Sequence, residues 1–330
     1  MKRFLHIFLL LILSLGESYA QDPQFSQFYA APLYLGPSMA GASGNGRVNL
    51  NYRDQWPKLS GRFVTYALSY DQFIPQYNSG AGILLLRDNA GGGKLTTTIA
   101  SLNYSYRIKV NRNFSIQPGL QFQYYQKKID YNKLTFSDQI NGDGSLFGTI
   151  ETPDDQSGHI DFATSVMAYS RYLWFGFTFD HLLKMNPALK DDPRYMPLKT
   201  SLYGGIKIPM AQTLLIRDEQ SLTVAFNFRH QATLSQLDLG LYYIKLPVMA
   251  GIWYRGIPIG SSNSSDAITL LAGVNFSSLT FSYSHDFTVS PLIAATGGAH
   301  EIAMSYTFST RPAGRSFTRR KLGAVPCPRF

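Results

Sequence analysis

Residues 99–108 read Ile-Ala-Ser-Leu-Asn-Tyr-Ser-Tyr-Arg-Ile. Ala100, Leu102, Tyr104, Tyr106 and Ile108 share one parity, and Ser101, Asn103, Ser105 and Arg107 share the other. Period two belongs to a β-strand whose two faces meet different surroundings. A greasy, aromatic face opposite a small polar one suits a sheet with acyl chains on one side and water on the other. In a bilayer such a sheet has to close, because an open edge leaves backbone groups without partners. The pattern recurs: Leu222, Val224, Phe226 and Phe228 alternate with Thr223, Ala225, Asn227 and Arg229. Leu279, Phe281 and Tyr283 alternate with Thr280, Ser282 and Ser284, and Ile302, Met304, Tyr306 and Phe308 with Ala303, Ser305 and Thr307. In each case the first set is expected to face lipid and the second the lumen. Gln121 and Gln123 join the lumen set, so the interior is polar with few charges.

Working outward from this stretch, alternation and turn residues predict about 14 strands. Their spans are 47–54, 62–72, 80–87, 95–108, 114–128, 160–169, 172–180, 198–209, 220–230, 237–245, 248–256, 267–276, 279–286 and 299–308. The fold class expected is all-β, a transmembrane antiparallel up-and-down barrel. The connectors sort by parity. Those after even strands are mostly short, such as Ser170-Arg171, Leu246-Pro247 and Ser277-Ser278, with Met210–Glu219 as the exception; 88–94, 129–159, 181–197, 257–266 and 287–298 are longer. Outer-membrane barrels have short periplasmic turns and long outside loops, and an even strand count puts both termini in the periplasm. A soluble β-sandwich, the main competing architecture, has no reason to sort its loops in this way.

The N-terminus agrees with that compartment. Lys2 and Arg3 precede an apolar run from Phe4 to Leu15, and Ser18-Tyr19-Ala20 offers small residues for cleavage, so residues 1–20 read as a signal peptide. The run is shorter than the roughly 20 residues a spanning helix needs. Residues 21–46 form an irregular periplasmic lead-in or plug, 47–308 the barrel, and 309–330 a basic periplasmic tail. Mean hydropathy is only −0.10, which excludes a helical membrane protein. Aromatics at 14% and charged residues at 15% are high and low for a soluble domain. The single cysteine, Cys327, excludes an intrachain disulfide. A net charge of +9 gathers in the tail and does not interleave with aromatics as in a nucleic-acid groove.

The lead-in carries the most specific words: Gln21-Asp22-Pro23-Gln24-Phe25-Ser26-Gln27-Phe28-Tyr29, then Pro37-Ser38-Met39-Ala40-Gly41 and Tyr52-Arg53-Asp54-Gln55-Trp56. Gly251-Ile252-Trp253-Tyr254-Arg255, Gly298-Ala299-His300-Glu301-Ile302 and Cys327-Pro328-Arg329-Phe330 follow. In this order the chain resembles the PorP/SprF family of type IX secretion and gliding proteins. One departure is Gly36, where the family usually has Asn, so a capping contact is lost there. The resemblance implies an outer-membrane barrel of Bacteroidota. Implied partners are secreted cargo with a type B C-terminal domain and a periplasmic type IX ring or peptidoglycan-binding lipoprotein. A porin-like or fatty-acid-channel-like transporter of small solutes is the alternative.

Several residues are candidates for contacts. Tyr52, Arg53 and Trp56 end the first strand, and Trp253, Tyr254 and Arg255 approach the same rim. They read either as a contact face for cargo or as a headgroup belt in which Arg53 pairs with a neighbouring carboxylate. His285-Asp286 ends one strand and His300-Glu301 begins the next, so the four approach each other. Neighbouring strand residues point to opposite faces, so a hydrogen-bonded rim network is favoured over a metal or pH site. Asn-Gly-Asp-Gly at 141–144 lacks the spacing and closing Glu of a calcium loop, and no metal or cofactor is expected. Asp180-His181 and His159-x-Asp161 are fragments of catalytic arrangements without a nucleophile motif; an enzyme is not expected. In the tail, Arg311, Arg315, Arg319, Arg320, Lys321 and Arg329, with Phe317, Cys327 and Phe330, read as a dock for an acidic periplasmic partner. The bland reading is attraction to anionic headgroups. Deleting Lys321–Phe330 is expected to leave membrane insertion intact and abolish co-purification of periplasmic secretion components; unchanged co-purification removes the docking role.

Overall fold

A computed structural model describes residues 22–92, 94–134, 156–183, 185–186, 195–210, 220–257, 267–289 and 296–309. Residues 1–20, where a signal peptide is expected, the tail from residue 310 onward and the acidic stretch 135–155 lie outside the described residues.

The chain forms a closed antiparallel barrel of 14 strands. They are β1 (Gly46–Gln55), β2 (Phe63–Ile74), β3 (Ser79–Ala90), β4 (Leu95–Tyr106), β5 (Ser115–Ile129), β6 (Gln156–Tyr169) and β7 (Leu173–Asp180). The second half comprises β8 (Lys199–Pro209), β9 (Gln220–Gln231), β10 (Leu234–Lys245), β11 (Val248–Ile257), β12 (Ala267–Phe276), β13 (Leu279–Thr288) and β14 (Ala299–Phe308). Each expected span coincides with one of these. The one internal break is at Arg107, after which Ile108–Lys109 resumes pairing with β5. There the Arg107 backbone N–H donates to Asn78 O across the adjoining turn at 2.8 Å, outside the ladder.

Strands pair with their sequence neighbours, and β1 pairs with β14 from Gly46↔Phe308 to Gln55↔Ala299, which closes the cylinder. Closure removes the edge, so the spanning ladder satisfies its own backbone groups. Sidedness is the inverse of a soluble protein. Leu102, Leu120 and Ile252 are 57%, 63% and 50% exposed, whereas Asn49, Ser101, Asn103 and Ser105 are buried. Tyr70, Tyr104 and Tyr106 stand among the outward residues, and the parity of residues 99–108 holds as expected.

The two ends of the barrel differ. One end carries the connectors 75–78, 110–114, 170–172, 246–247 and 277–278, with 210–219; the other carries 56–62, 91–94, 130–155, 181–198, 232–233, 258–266 and 289–298. We name them the turn end and the loop end. Ala232-Thr233, at the loop end, is as tight as the turns opposite.

The lumen is not open. Residues 22–45 run through it as irregular chain with short helical turns at Phe28–Ala30, Pro32–Leu35 and Pro37–Met39. Asp22 meets His181 and Lys199 at the loop end, whereas Gly41 meets Asp71 and Arg107 at the turn end, where β1 begins. The lead-in, expected as a periplasmic lead-in or a plug, crosses the whole barrel. Its apolar side chains fill two cores. Phe28 and Tyr29 pack with Trp174 and Trp253, and Phe25 and Leu33 pack with Leu84 and Leu86. The fit is tight at glycines. A Cβ on Gly119 would lie 2.3 Å from Ser38 N, and one on Gly36 would lie 2.5 Å from Thr178 Oγ1. At Gly36 any larger residue would have to displace Thr178, Ser165 or Tyr203. Gly119→Val is expected to expel the lumen segment rather than the strand. Protease cleavage within residues 22–45 should then appear while the heat-modifiable mobility of the barrel persists; an uncleaved segment refutes the tight packing.

Candidate functional site

Where the lumen segment meets the loop end, four charges converge. β1 brings Arg53, β11 Arg255, β13 Asp286 and β14 Glu301, all on inward parities and all buried. Arg53 Nη2 lies 2.8 Å and Arg255 Nη1 2.7 Å from Asp286 Oδ2, and Arg53 Nη1 lies 3.1 Å from Glu301 Oε2. Two cations thus face two anions, as burial demands. Ser26 sits at the centre. Its Oγ donates to Asp286 Oδ2 at 2.7 Å and accepts from Arg53 Nη1 at 2.6 Å and Arg255 Nη1 at 2.7 Å. One proton and two lone pairs are all engaged.

Glu301 fastens the backbone of the same segment, accepting from Ser26 N at 2.7 Å and Gln27 N at 3.0 Å. Gln27 Nε2 donates to Ser284 Oγ, and its Oε1 accepts from Ser282 Oγ. Thr269 Oγ1 donates to Asp286 Oδ1 at 2.7 Å. The segment is therefore stapled to four separate strands within two residues.

A second staple holds Asp22. His181 lies between two carboxylates, with Nε2 2.9 Å from Asp22 Oδ2 and Nδ1 2.8 Å from Asp161 Oδ2, and Lys199 Nζ is 3.1 Å from Asp22 Oδ2. Burial works against a charged imidazole. The Asp22 charge and the hydrogen bonds to both carboxylates outweigh it and raise His181 to about 10. Burial would raise Asp22, but His181 and Lys199 hold it well below the usual carboxylate range. At neutral pH the imidazolium is charged. Its contribution is complete below its ordinary value near 6.5 and fades as pH rises through about 10. A third staple lies at the turn end, where Asp71 accepts from Gly41 N at 2.9 Å and Arg47 Nε at 2.9 Å. There Arg107, stacked 4.0 Å from the Phe73 ring centre, donates to Gly41 O.

The expected rim face divides by parity. Arg53, Trp253 and Arg255 point inward and are buried, as is Glu301 of the His300-Glu301 pair, so these four line the lumen at the loop end, where Arg53 pairs with carboxylates as the second reading had it. Trp253, read as a belt residue, is 1% exposed and packs edge-on to Phe28; Gly240 on the neighbouring strand leaves room for its indole. Tyr52 and Tyr254 point outward, Tyr52 packing on Tyr66. Trp56 follows β1 and packs edge-on to Phe63. His285 and His300 are cross-strand partners with ring centres 4.5 Å apart, and the Tyr283 hydroxyl is 2.8 Å from His300 Nδ1. They share the outer face, whereas Asp286 and Glu301 share the inner one. Tail residues Arg311, Arg315, Phe317, Arg319, Arg320, Lys321, Cys327, Arg329 and Phe330 lie outside the described residues. Ser26, Gln27 and His181 were not singled out as contact residues; their signal was the Phe-Ser-Gln-Phe-Tyr order, in which apolar and polar residues seek different walls.

A cavity of about 60 Å³ remains between the segment and β8–β10, beside Phe28, Lys199, Asn227, Arg229 and Gln236. Among the described residues, both amide atoms of buried Asn227 lack a hydrogen-bond partner.

A family model described as type IX secretion system membrane protein PorP/SprF matches residues 17–306. The chain belongs to the PorP/SprF family. No curated protein matches it. Among solved structures it is similar to the Ralstonia pickettii toluene transporter TbuX, at 8% identity and TM-score 0.50, covering 85% of this chain and 93% of that one. It also matches KdgM porin at 9% identity and TM-score 0.36, covering 79% and 99%. At such low identity the TbuX likeness speaks to the barrel fold alone. Family and fold together fit an outer-membrane protein in a secretion-machinery setting.

Because Arg53 compensates two buried carboxylates of this PorP/SprF barrel, Arg53→Ala is expected to lower unfolding stability in detergent by about 3–5 kcal/mol. Tyr52→Ala, on the outer face, should cost less than half of that. If Arg53→Ala leaves stability unchanged, the staple role fails.

Proposed function

We propose that this barrel is a non-enzymatic component of the type IX secretion and gliding machinery. It holds a secreted cargo protein at the cell surface through its loop end and contacts periplasmic secretion components from its turn end. The observation that supports this reading best is the lumen, occupied by residues 22–45 and held at both ends by buried charged side chains, His181, Asp286 and Glu301 at the loop end and Asp71 and Arg107 at the turn end. A filled cylinder offers surfaces and no wide channel. With β1 starting and β14 ending at the turn end, the tail leaves from the side assigned to the periplasm, where its six cations meet acidic partners. Cargo with a type B C-terminal domain is the expected surface ligand. The periplasmic ring or a peptidoglycan-binding lipoprotein is the expected contact below.

Catalysis has no support among the described residues. His181 is committed to two carboxylates, and His159, which meets Ser157 Oγ at 2.7 Å, has no ion pair with an acid there. The alternative, passage of small solutes, finds its support in the cavity beside Asn227, where a route past the segment would open.

Affinity purification from detergent-solubilised outer membrane, followed by mass spectrometry, should recover a secreted type B cargo and periplasmic secretion proteins. Liposomes carrying the barrel should not swell in small sugars. Swelling at open-porin rates without any protein partner would falsify the anchoring role and favour transport. In a Cys327→Ser background, impermeant maleimide should label Leu59→Cys on intact cells and spare Tyr77→Cys; the reverse pattern inverts the assigned sidedness.

A further inference from the structure

The cavity beside the lumen segment has a mouth and a floor. On the inward face of β8–β10, Lys199, Gln231 and Leu234 form the row at the loop end, paired in register. Leu234 keeps 39% of its surface exposed there in spite of its inward parity, and Pro23 and Gln24 beside it are half-buried. Asn227 lies four residues deeper along β9, about 13 Å by strand rise, and is 1% exposed. Phe28 and Leu35 close the cavity from the side of the segment. The space of about 60 Å³ admits about four water-sized groups.

Its polar lining is not self-sufficient. Asn227 lacks a partner at both Oδ1 and Nδ2 among the described residues. The reason stands beside it. Asp238, its cross-strand partner, already accepts from Arg229 Nη2 at 2.6 Å, Gln236 Nε2 at 2.8 Å and Gly256 N at 3.1 Å. Nearer the mouth, Gln231 Nε2 and Asp22 Oδ1 are a buried donor and a buried acceptor, also without partners among the described residues. A buried amide with nothing to bond is costly to a fold, so its presence calls for an occupant.

We propose that this cavity receives the side-chain carboxamide of a glutamine or asparagine carried by a polypeptide at the loop end. Such an occupant deepens the anchoring function proposed above, and rests on it for what brings the polypeptide there. The chemistry of the floor selects the group. A carboxamide pairs its N–H with Asn227 Oδ1 and its C=O with Asn227 Nδ2, a two-point match of planar groups. A carboxylate brings no donor for Oδ1, an ammonium brings no acceptor for Nδ2, and a hydroxyl serves both from one atom. Size selects the bearer. A group of about five heavy atoms binds weakly on its own, so it has to be the tip of a larger molecule. The peptide unit behind it offers an N–H to Asp22 Oδ1 and a C=O to Gln231 Nε2.

NMR of the full chain in detergent micelles, isotopically labelled at its asparagine side chains, tests this directly. The signal that Asn227→Ala and Asn227→Leu both remove should move saturably with propionamide, at a dissociation constant of about 1–10 mM. Propionate and propanol should leave it in place. N-acetylglutamine N-methylamide should bind about tenfold more tightly than propionamide, a gain of two hydrogen bonds, and Gln231→Leu should remove most of that advantage. Heat-modifiable mobility confirms that each variant is folded. A signal indifferent to propionamide, or moved equally by propionate, overturns the proposal and leaves the cavity to water. A capped glutamine no tighter than propionamide overturns the polypeptide as bearer and assigns the cavity to small free amides. These titrations need no cargo, so failure of the anchoring function appears only in the affinity purification and remains distinguishable.

Discussion

Everything in this molecule follows from the absence of water around its backbone. In hydrocarbon an unpaired N–H or C=O has no solvent to fall back on, so the ladder has to run full circle. The pairing of β1 with β14 over Gly46 to Gln55 is what completes it. Once closed, the cylinder has an outside that is solved cheaply by Leu, Ile, Phe and Tyr, and an inside that is not. Fourteen strands enclose more space than their own inward side chains fill, and the small residues at those positions, Ser69, Ser101, Ser105, Ala225 and Ser282 among them, leave it emptier still. The segment 22–45 takes up that volume.

Filling the lumen with chain creates a second constraint. Irregular backbone carries donors and acceptors with no ladder to join, and the wall supplies the partners from its inward parity. Glu301 takes the two N–H groups of Ser26 and Gln27, Ser165 Oγ takes that of Ser38, and Thr178 and Gln117 donate to Leu35 O and Ala40 O. The buried charges belong to this same accounting. Glu301, which takes two of these N–H groups, is balanced by Arg53 from another strand, because an uncompensated charge in this interior is far more costly than any single bond it makes.

How much of this was legible in the sequence depends on the range of the interaction. Strand positions and facing were, because alternation is local: Leu222 against Thr223, or Met304 against Ala303, needs no knowledge of partners. Parity alone also placed Arg53 with Asn49 and Asn51 on the inner face, and Trp253 with Gly251. Residue type alone points Trp253 outward to a headgroup belt, whereas its parity points it inward, where it is buried against Phe28. What no local pattern carries is convergence. Arg53 meets Asp286 and Glu301 across 233 and 248 residues of sequence, and Ser26 reaches Arg255 across 229. These contacts are set by strand count and closure together. Even so, the unusual lead-in marked where to look.

The arrangement of the staples bears on what kind of device the barrel is. A gate has to open at a tolerable free-energy cost, and segments that move are drawn from the weakly held parts of a structure. Here the loop-end network, the Asp22–His181–Asp161 staple and the Asp71–Arg47 pair hold one short segment at both ends. Freeing the segment takes Asp22 from His181 and Lys199 and strips Glu301, Asp286 and Asp71 of their hydrogen bonds from it. Losing one partner of a buried ion pair alone costs about 3–5 kcal/mol, so releasing both ends at once lies beyond ordinary fluctuation. An imidazolium that stays charged well above neutrality removes the most familiar trigger, since pH changes around 7 do not reach it. Rigidity of this order is ill suited to a breathing channel and well suited to a fixed platform.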